Sequence, residues 1–136
     1  KITLHTRSHL VLQDLELIKA FGNTLGVGIS ITTDNEDIAR EFEPNAPSIA
    51  RRLELLTKLH QVGIKVHVSM APLLPCDPQR LVRLVSPYTK YAWIGEMNYP
   101  EINNRPFLLE KYSEFFENHN YRKAINTVRN LFNCVK

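Results

Sequence analysis

Apolar residues follow two rhythms along this chain. Short runs that alternate or stay continuous, at Ile2 to Thr6, Val27 to Thr32, within IKVHVSMAPLLP (residues 64–75) and within YAWIGEM (residues 91–97), read as four strands. Between them the apolar positions shift to helical spacing. Leu12, Leu15, Ile18 and Phe21 make one stripe, closed by Gly22 and Asn23. Ile49, Leu53, Leu56 and Leu59 or His60 make a second, closed by Gly63, and Leu81, Val82 and Val85 a third.

The helix starts are also written locally. Thr33 with Glu36 has the form of a capping box and predicts a short helix to about Phe42. Pro44 and Pro47 break the chain, Ser48 is placed to cap the next helix, and Asp77-Pro78 supplies a cap followed by a first-turn proline. Strands that alternate with helices at this interval predict a parallel sheet with right-handed crossovers. Tyr91 and Trp93 alternate in the last strand and read as core residues.

Past Pro100 the rhythm is helical only. Stripes at Leu109, Tyr112 and Phe116, then at Ala124, Ile125, Val128 and Phe132, predict helices over Pro106 to Asn118 and Tyr121 to Phe132. These two form an αα-hairpin over one side of the sheet. The expected organisation is therefore α/β: a four-stranded βα unit over residues 1–99 and a helical extension packed on it over residues 100–136.

Composition changes little in this picture. A chain of 136 residues is the size of one domain. The net charge of +3 is modest, and no basic run calls for nucleic acid or an anionic membrane. Cys76 and Cys134 lie far apart, which favours a reducing, cytoplasmic setting over a disulfide scaffold. No apolar run is long enough to span a bilayer, and the first residues do not read as a signal peptide. The chain opens at Lys1 directly into a strand, so upstream residues are expected.

Candidate chemistry collects at the carboxyl ends of the strands, the functional edge of βα folds. Ser30 and Thr32 share one face if the strand alternates, with Ile31 on the other. Their hydroxyls suit a carboxylate, ribose or amide, or else they close the strand by bonding to backbone. Arg51 or Arg52, in the first turn of the long helix, is placed to reach an anion or to solvate the helix. Ala71-Pro72 offers a ligand close access to main chain, or is a proline-stiffened exit.

Other chemistries find no support. The five histidines show no metal-ligand spacing, so no metal site is expected. A nucleophile elbow, a phosphate loop and a glycine-rich dinucleotide turn are missing from the sequence.

Taken together, HTRSHLVLQDLELIKAF, VGISITTDNEDIAREFEPNAPSIARRLELLTKLHQVGIKVHVSMAPLLP and WIGEMN resemble the later part of radical S-adenosylmethionine proteins of the spore-photoproduct-lyase group, often labelled DNA photolyase or DNA repair photolyase. The resemblance runs from Ile2 to Asn98 and covers the second half of such a protein. It implies a partial TIM-like barrel, with this chain holding its last four strands. It also implies that S-adenosylmethionine lies across the strand ends, near Ser30, Thr32 and Ala71. Arg7 stands where many relatives have lysine in Thr-Lys-Ser, and Arg52 matches a recurrent arginine.

Departures are equally specific. The three-cysteine motif for the 4Fe–4S iron–sulfur cluster is missing, as is the glycine-rich strand that meets the methionine amino group. Cys76-Asp77-Pro78-Gln79 replaces the usual glycine and Asn-Asp, and no tyrosine is marked as a hydrogen relay, so no catalytic residue is assigned. The resemblance thus implies a lyase-like parent with cofactor and cluster, and an inactive piece that binds neither. The expected partner is the rest of the barrel or a second copy on an open sheet edge, with DNA as a substrate class for the parent. A non-catalytic interaction module and an unrelated small-ligand domain remain as the other readings.

Overall fold

The computed structural model describes residues 1–97 and 105–132. Asn98, the boundary placed between residues 99 and 100, and Cys134 lie outside the described residues. The fold is α/β, with four strands hydrogen-bonded in chain order and every neighbouring pair parallel: β1 (Ile2–Thr6), β2 (Leu25–Ser30), β3 (Val66–Met70) and β4 (Ala92–Ile94). The sheet is open, as expected of part of a barrel. β1 and β4 are its edges.

Crossovers carry the helices. A 3-10 turn over His9–Asp14 and α1 (Leu15–Ala20) follow β1, α2 (Glu36–Phe42) and α3 (Ile49–Gln61) follow β2, and α4 (Pro78–Val85) follows β3. The first helix is therefore shorter than its stripe predicts, and Phe21 at its end is exposed. The cause is local: Ser8 accepts from Leu10 N and starts a tight turn ahead of Leu15.

Ser48 caps α3 by accepting from Arg51 N, and Asp77 caps α4 by accepting from Gln79 N and Arg80 N. Gly63, at φ of +80°, takes the left-handed conformation that lets the chain leave α3. The Thr33–Glu36 capping box does not form. Asn35 is the cap, accepting from Asp37 N and Ile38 N. The Glu36 carboxylate instead accepts from Ile49 N and Ala50 N, so it satisfies the orphan amides of the following helix.

One sheet face is apolar. Val27, Ile29 and Ile31, with Val68 and Met70, are fully buried, as are Leu55, Leu56 and Leu59 of α3. On α3 the inward positions include Leu55 and Arg52, whereas Leu53 is half-buried and His60 exposed. The opposite face is read from the register: Thr3 against Gly26, His5 against Gly28, Gly28 against His67, Ser30 against Ser69 and Ser69 against Trp93. Its glycines and polar residues explain why the chain alternates where a fully buried parallel strand would not. Tyr91 and Trp93, expected in the core, are about half exposed at 49% and 51%. They stand on edge strand β4 or its approach, with no strand beyond it among the described residues.

The C-terminal helices are α5 (Pro106–Lys111), α6 (Ser113–Phe116) and α7 (Asn118–Leu131). The first of the two predicted helices breaks at Tyr112, and Leu108, not Leu109, is the buried position. The last helix, α7, packs against α4. Tyr121 fixes it, accepting from Met97 N at 2.6 Å and donating to Leu73 O at 3.0 Å. Phe116 stacks edge-on with Phe115 and Tyr121 and reaches Phe42, joining α2 to this cluster.

Candidate functional site at the strand ends

Beyond their last ladder residues, β2 and β3 continue together. Ile31 N donates to Ser69 O at 2.9 Å, and Leu74 N donates to Thr32 O at 3.0 Å. On the other side Leu73 N donates to Gly95 O, and Gly95 N to Met70 O. These bonds hold the Ser30–Asp34 and Ala71–Pro75 segments side by side, so Ser30, Thr32 and Ala71 do come together at one end of the sheet. Ser30 and Ser69 are buried, at 9% and 7% exposure. Gly95 lies so close to Ala71 that a Cβ on it would sit 2.8 Å from the alanine Cβ.

Thr32 is the unusual member. Its side chain is fully buried, and its hydroxyl has no hydrogen-bond partner among the described residues. An orphan hydroxyl in a protein interior costs roughly 1–3 kcal/mol, so such a group calls for a reason. Its neighbours are satisfied by contrast. Thr33 Oγ1 donates to Pro75 O at 2.7 Å, and Asp34 Oδ1 accepts from Asp77 N at 3.0 Å. Asp34 also faces Arg80 at 3.5 Å.

Arg52 lies at the same end but is turned into the fold. Its side chain is fully buried; Nε donates to Pro47 O at 2.8 Å and Nη1 to Ser30 O at 3.2 Å. Nη2 approaches Glu43 Oε2 at 2.6 Å. That contact is an ion pair without the angle of a directed hydrogen bond, since neither atom has a hydrogen-bond partner by geometry. The other oxygen of Glu43 pairs with Arg7 Nη2 at 3.1 Å. Arg7 keeps 44% of its side chain exposed, so it is the member of this chain of charges that can reach outward.

The Arg7–Glu43–Arg52 relay has no sequence signature. Glu43 falls in an irregular turn before Pro44, and nothing in its spacing marks it as the partner of two arginines. Cys76, beside the same loop, is chemically quiet. Burial first, then the Asp34 and Asp77 carboxylates, push its thiol up to about 12.

Below the strand ends the sheet's polar face is open as a cleft of about 510 Å³ lined by Thr3, His5, Lys65, His67, Tyr91 and Trp93. Burial, then the charges of His5 and Lys65, hold His67 below the ordinary imidazole range. Among the described residues no group of three histidine, cysteine or acidic side chains is arranged to hold a metal ion, and no helix is long and apolar enough to cross a membrane.

Comparison with known proteins places the chain among longer ones. No family model matches it, and no solved structure does. It is similar to the uncharacterised protein MJ0683 of Methanocaldococcus jannaschii, with 27% identity over 120 residues that cover 86% of this chain and 46% of that protein. It is similar as well to the uncharacterised protein ORF301 of Acidianus two-tailed virus, at 41% over 80 residues, covering 59% of this chain and 27% of that one. The uncharacterised protein Mb2609c of Mycobacterium bovis shares 29% over 76 residues, covering 54% and 22%. The chain thus spans less than half the length of each of these relatives.

Proposed function

We propose that this chain is the carboxyl-terminal part of a radical S-adenosylmethionine enzyme of the spore-photoproduct-lyase and DNA-repair-photolyase-like group. The observation that carries the reading is the buried, unpartnered hydroxyl of Thr32, held beside Ser30 and Ala71 at the carboxyl edge of a parallel sheet. A cofactor ribose or amino-acid end would complete that hydrogen bond.

The residues present suit one cofactor and not the other. Ser30, Thr32 and the main chain at Ala71 would hold S-adenosylmethionine, and Arg7 would meet its charged end from the rim. Arg52 would serve by fixing the Ser30 carbonyl and Glu43. A cluster held by three thiolates does not fit a sequence with two cysteines, Cys76 and Cys134. Cluster ligation therefore belongs to residues outside this chain. When bound in a complete enzyme, S-adenosylmethionine supplies the 5′-deoxyadenosyl group for radical chemistry. This chain's share is to bind and orient it.

The greater length of the relatives supports a missing half that would close the sheet at β1. A cytoplasmic location and a DNA lesion as the parent's substrate are parts of the same proposal. A second reading, a non-catalytic interaction module, draws on the exposure of Ile2 and Leu4 along edge strand β1. Anaerobic iron–sulfur reconstitution of the longer protein, followed by assay for 5′-deoxyadenosine, separates the two. Cluster and product are expected; their absence, with stable self-association of the chain, would favour the interaction module.

A further inference from the structure

On the polar face of the sheet, two imidazoles from strands that do not touch meet over the strand between them. His5 on β1 and His67 on β3 both stand opposite Gly28 of β2. Their ring centroids are 5.0 Å apart, with the planes at 79°. Gly28 makes this approach feasible. A Cβ added there would lie 2.8 Å from His5 Nδ1 and 2.4 Å from His67 Nε2. One nitrogen of each ring therefore borders the same small space above the glycine, which any other residue would fill.

We propose that His5 Nδ1 and His67 Nε2 form a two-histidine site for a divalent first-row transition metal ion such as Zn²⁺, Ni²⁺ or Cu²⁺, with solvent completing its coordination. At metal–nitrogen distances of about 2.0–2.1 Å, two imidazoles on one tetrahedral ion have ring centroids about 5 Å apart, as found here. Imidazole is a favoured ligand for these ions. The cleft beside the pair gives an ion and its waters access. Lys65 lines the same cleft and opposes a cation, so affinity is that of a solvent-capped pair and below that of a structural zinc centre. The pair stands two residues before Ser30 and Ser69 on the same sheet face, and the metal site is built from the two histidines without any strand-end residue.

The test uses the chain's single tryptophan, Trp93, which lines the cleft and reports a nearby paramagnetic ion. Cu²⁺ and Ni²⁺ are titrated into metal-free protein at neutral pH with fluorescence detection, and calorimetry with Zn²⁺ gives stoichiometry. One ion per chain and saturable quenching are expected. His5→Gln and His67→Gln should each weaken binding at least about tenfold, Gly28→Ala likewise, and His119→Gln not at all. Circular dichroism verifies folding, and if Gly28→Ala unfolds the two histidine variants decide. Failure to saturate, unchanged affinity in either histidine variant, or loss in His119→Gln would overturn the site.

Discussion

The strand ends and the sheet's polar face solve opposite problems. At the carboxyl end the polar groups are buried and mostly paired within the fold: Thr33 with Pro75, Asp34 with Asp77, and Arg52 with Ser30, Pro47 and Glu43. On the sheet's polar face Thr3, His5, Tyr91 and Trp93 stand exposed around a cleft. The first arrangement costs desolvation and returns a fixed geometry. The second leaves groups free to bind. Thr32 is the exception that makes the paired end interesting, because there a single hydroxyl is buried without a partner.

The largest break in this contrast is expected at Arg52. Arg52→Ala leaves Glu43 with Arg7 as its one cation and two carbonyls without their donor, and should lower stability by about 3–5 kcal/mol in denaturant unfolding. A loss under about 1 kcal/mol would show that the relay is not structural. Gly95→Ala forces a Cβ against Ala71 and should cost about 1–3 kcal/mol, with the β3–β4 exit displaced in chemical-shift maps.

Thr32→Val should run the other way. Removing an orphan hydroxyl while keeping shape is expected to leave stability unchanged or raise it by about 1 kcal/mol. A clear loss would mean that the hydroxyl has a partner in solution. Trp93→Ala, on the open face, should move stability by no more than about 0.5 kcal/mol. A larger loss would show that this face is covered in the free chain.

Cys76 adds a chemical contrast. With its thiol near 12, peptide mapping should find it unmodified by iodoacetamide at pH 8 until the protein unfolds. The sign for stability follows: the unfolded thiol loses its proton first, so stability should fall as pH climbs from the ordinary thiol value toward 12. Rapid native-state labelling would contradict that.

What could be read from sequence was what depends on neighbours along the chain. Four parallel strands, the Ser48 and Asp77 caps and the C-terminal helices follow from periodicity and short-range capping. The same logic misplaced the α2 cap, because the Thr33 hydroxyl is taken by a carbonyl in the β3–α4 loop, a partner no local rule sees. Trp93 read as core because alternation gives two faces without saying which is covered. The burial of Arg52 and the His5–His67 pair were out of reach for a similar reason. An arginine in a first helical turn reads as solvated until β2 and the Glu43 turn fold around it. Two histidines distant in sequence become neighbours only once both strands are set in register against Gly28.

The most direct test of the strand-end site is calorimetric titration of S-adenosylhomocysteine into the longer protein and its Thr32→Val and Ser30→Val variants. The ligand should bind the unaltered protein and lose at least about tenfold in affinity in each variant, about 1.4 kcal/mol per lost contact, while His5→Gln binds normally. Equal binding in all four proteins, or none in the unaltered one, would contradict the assignment.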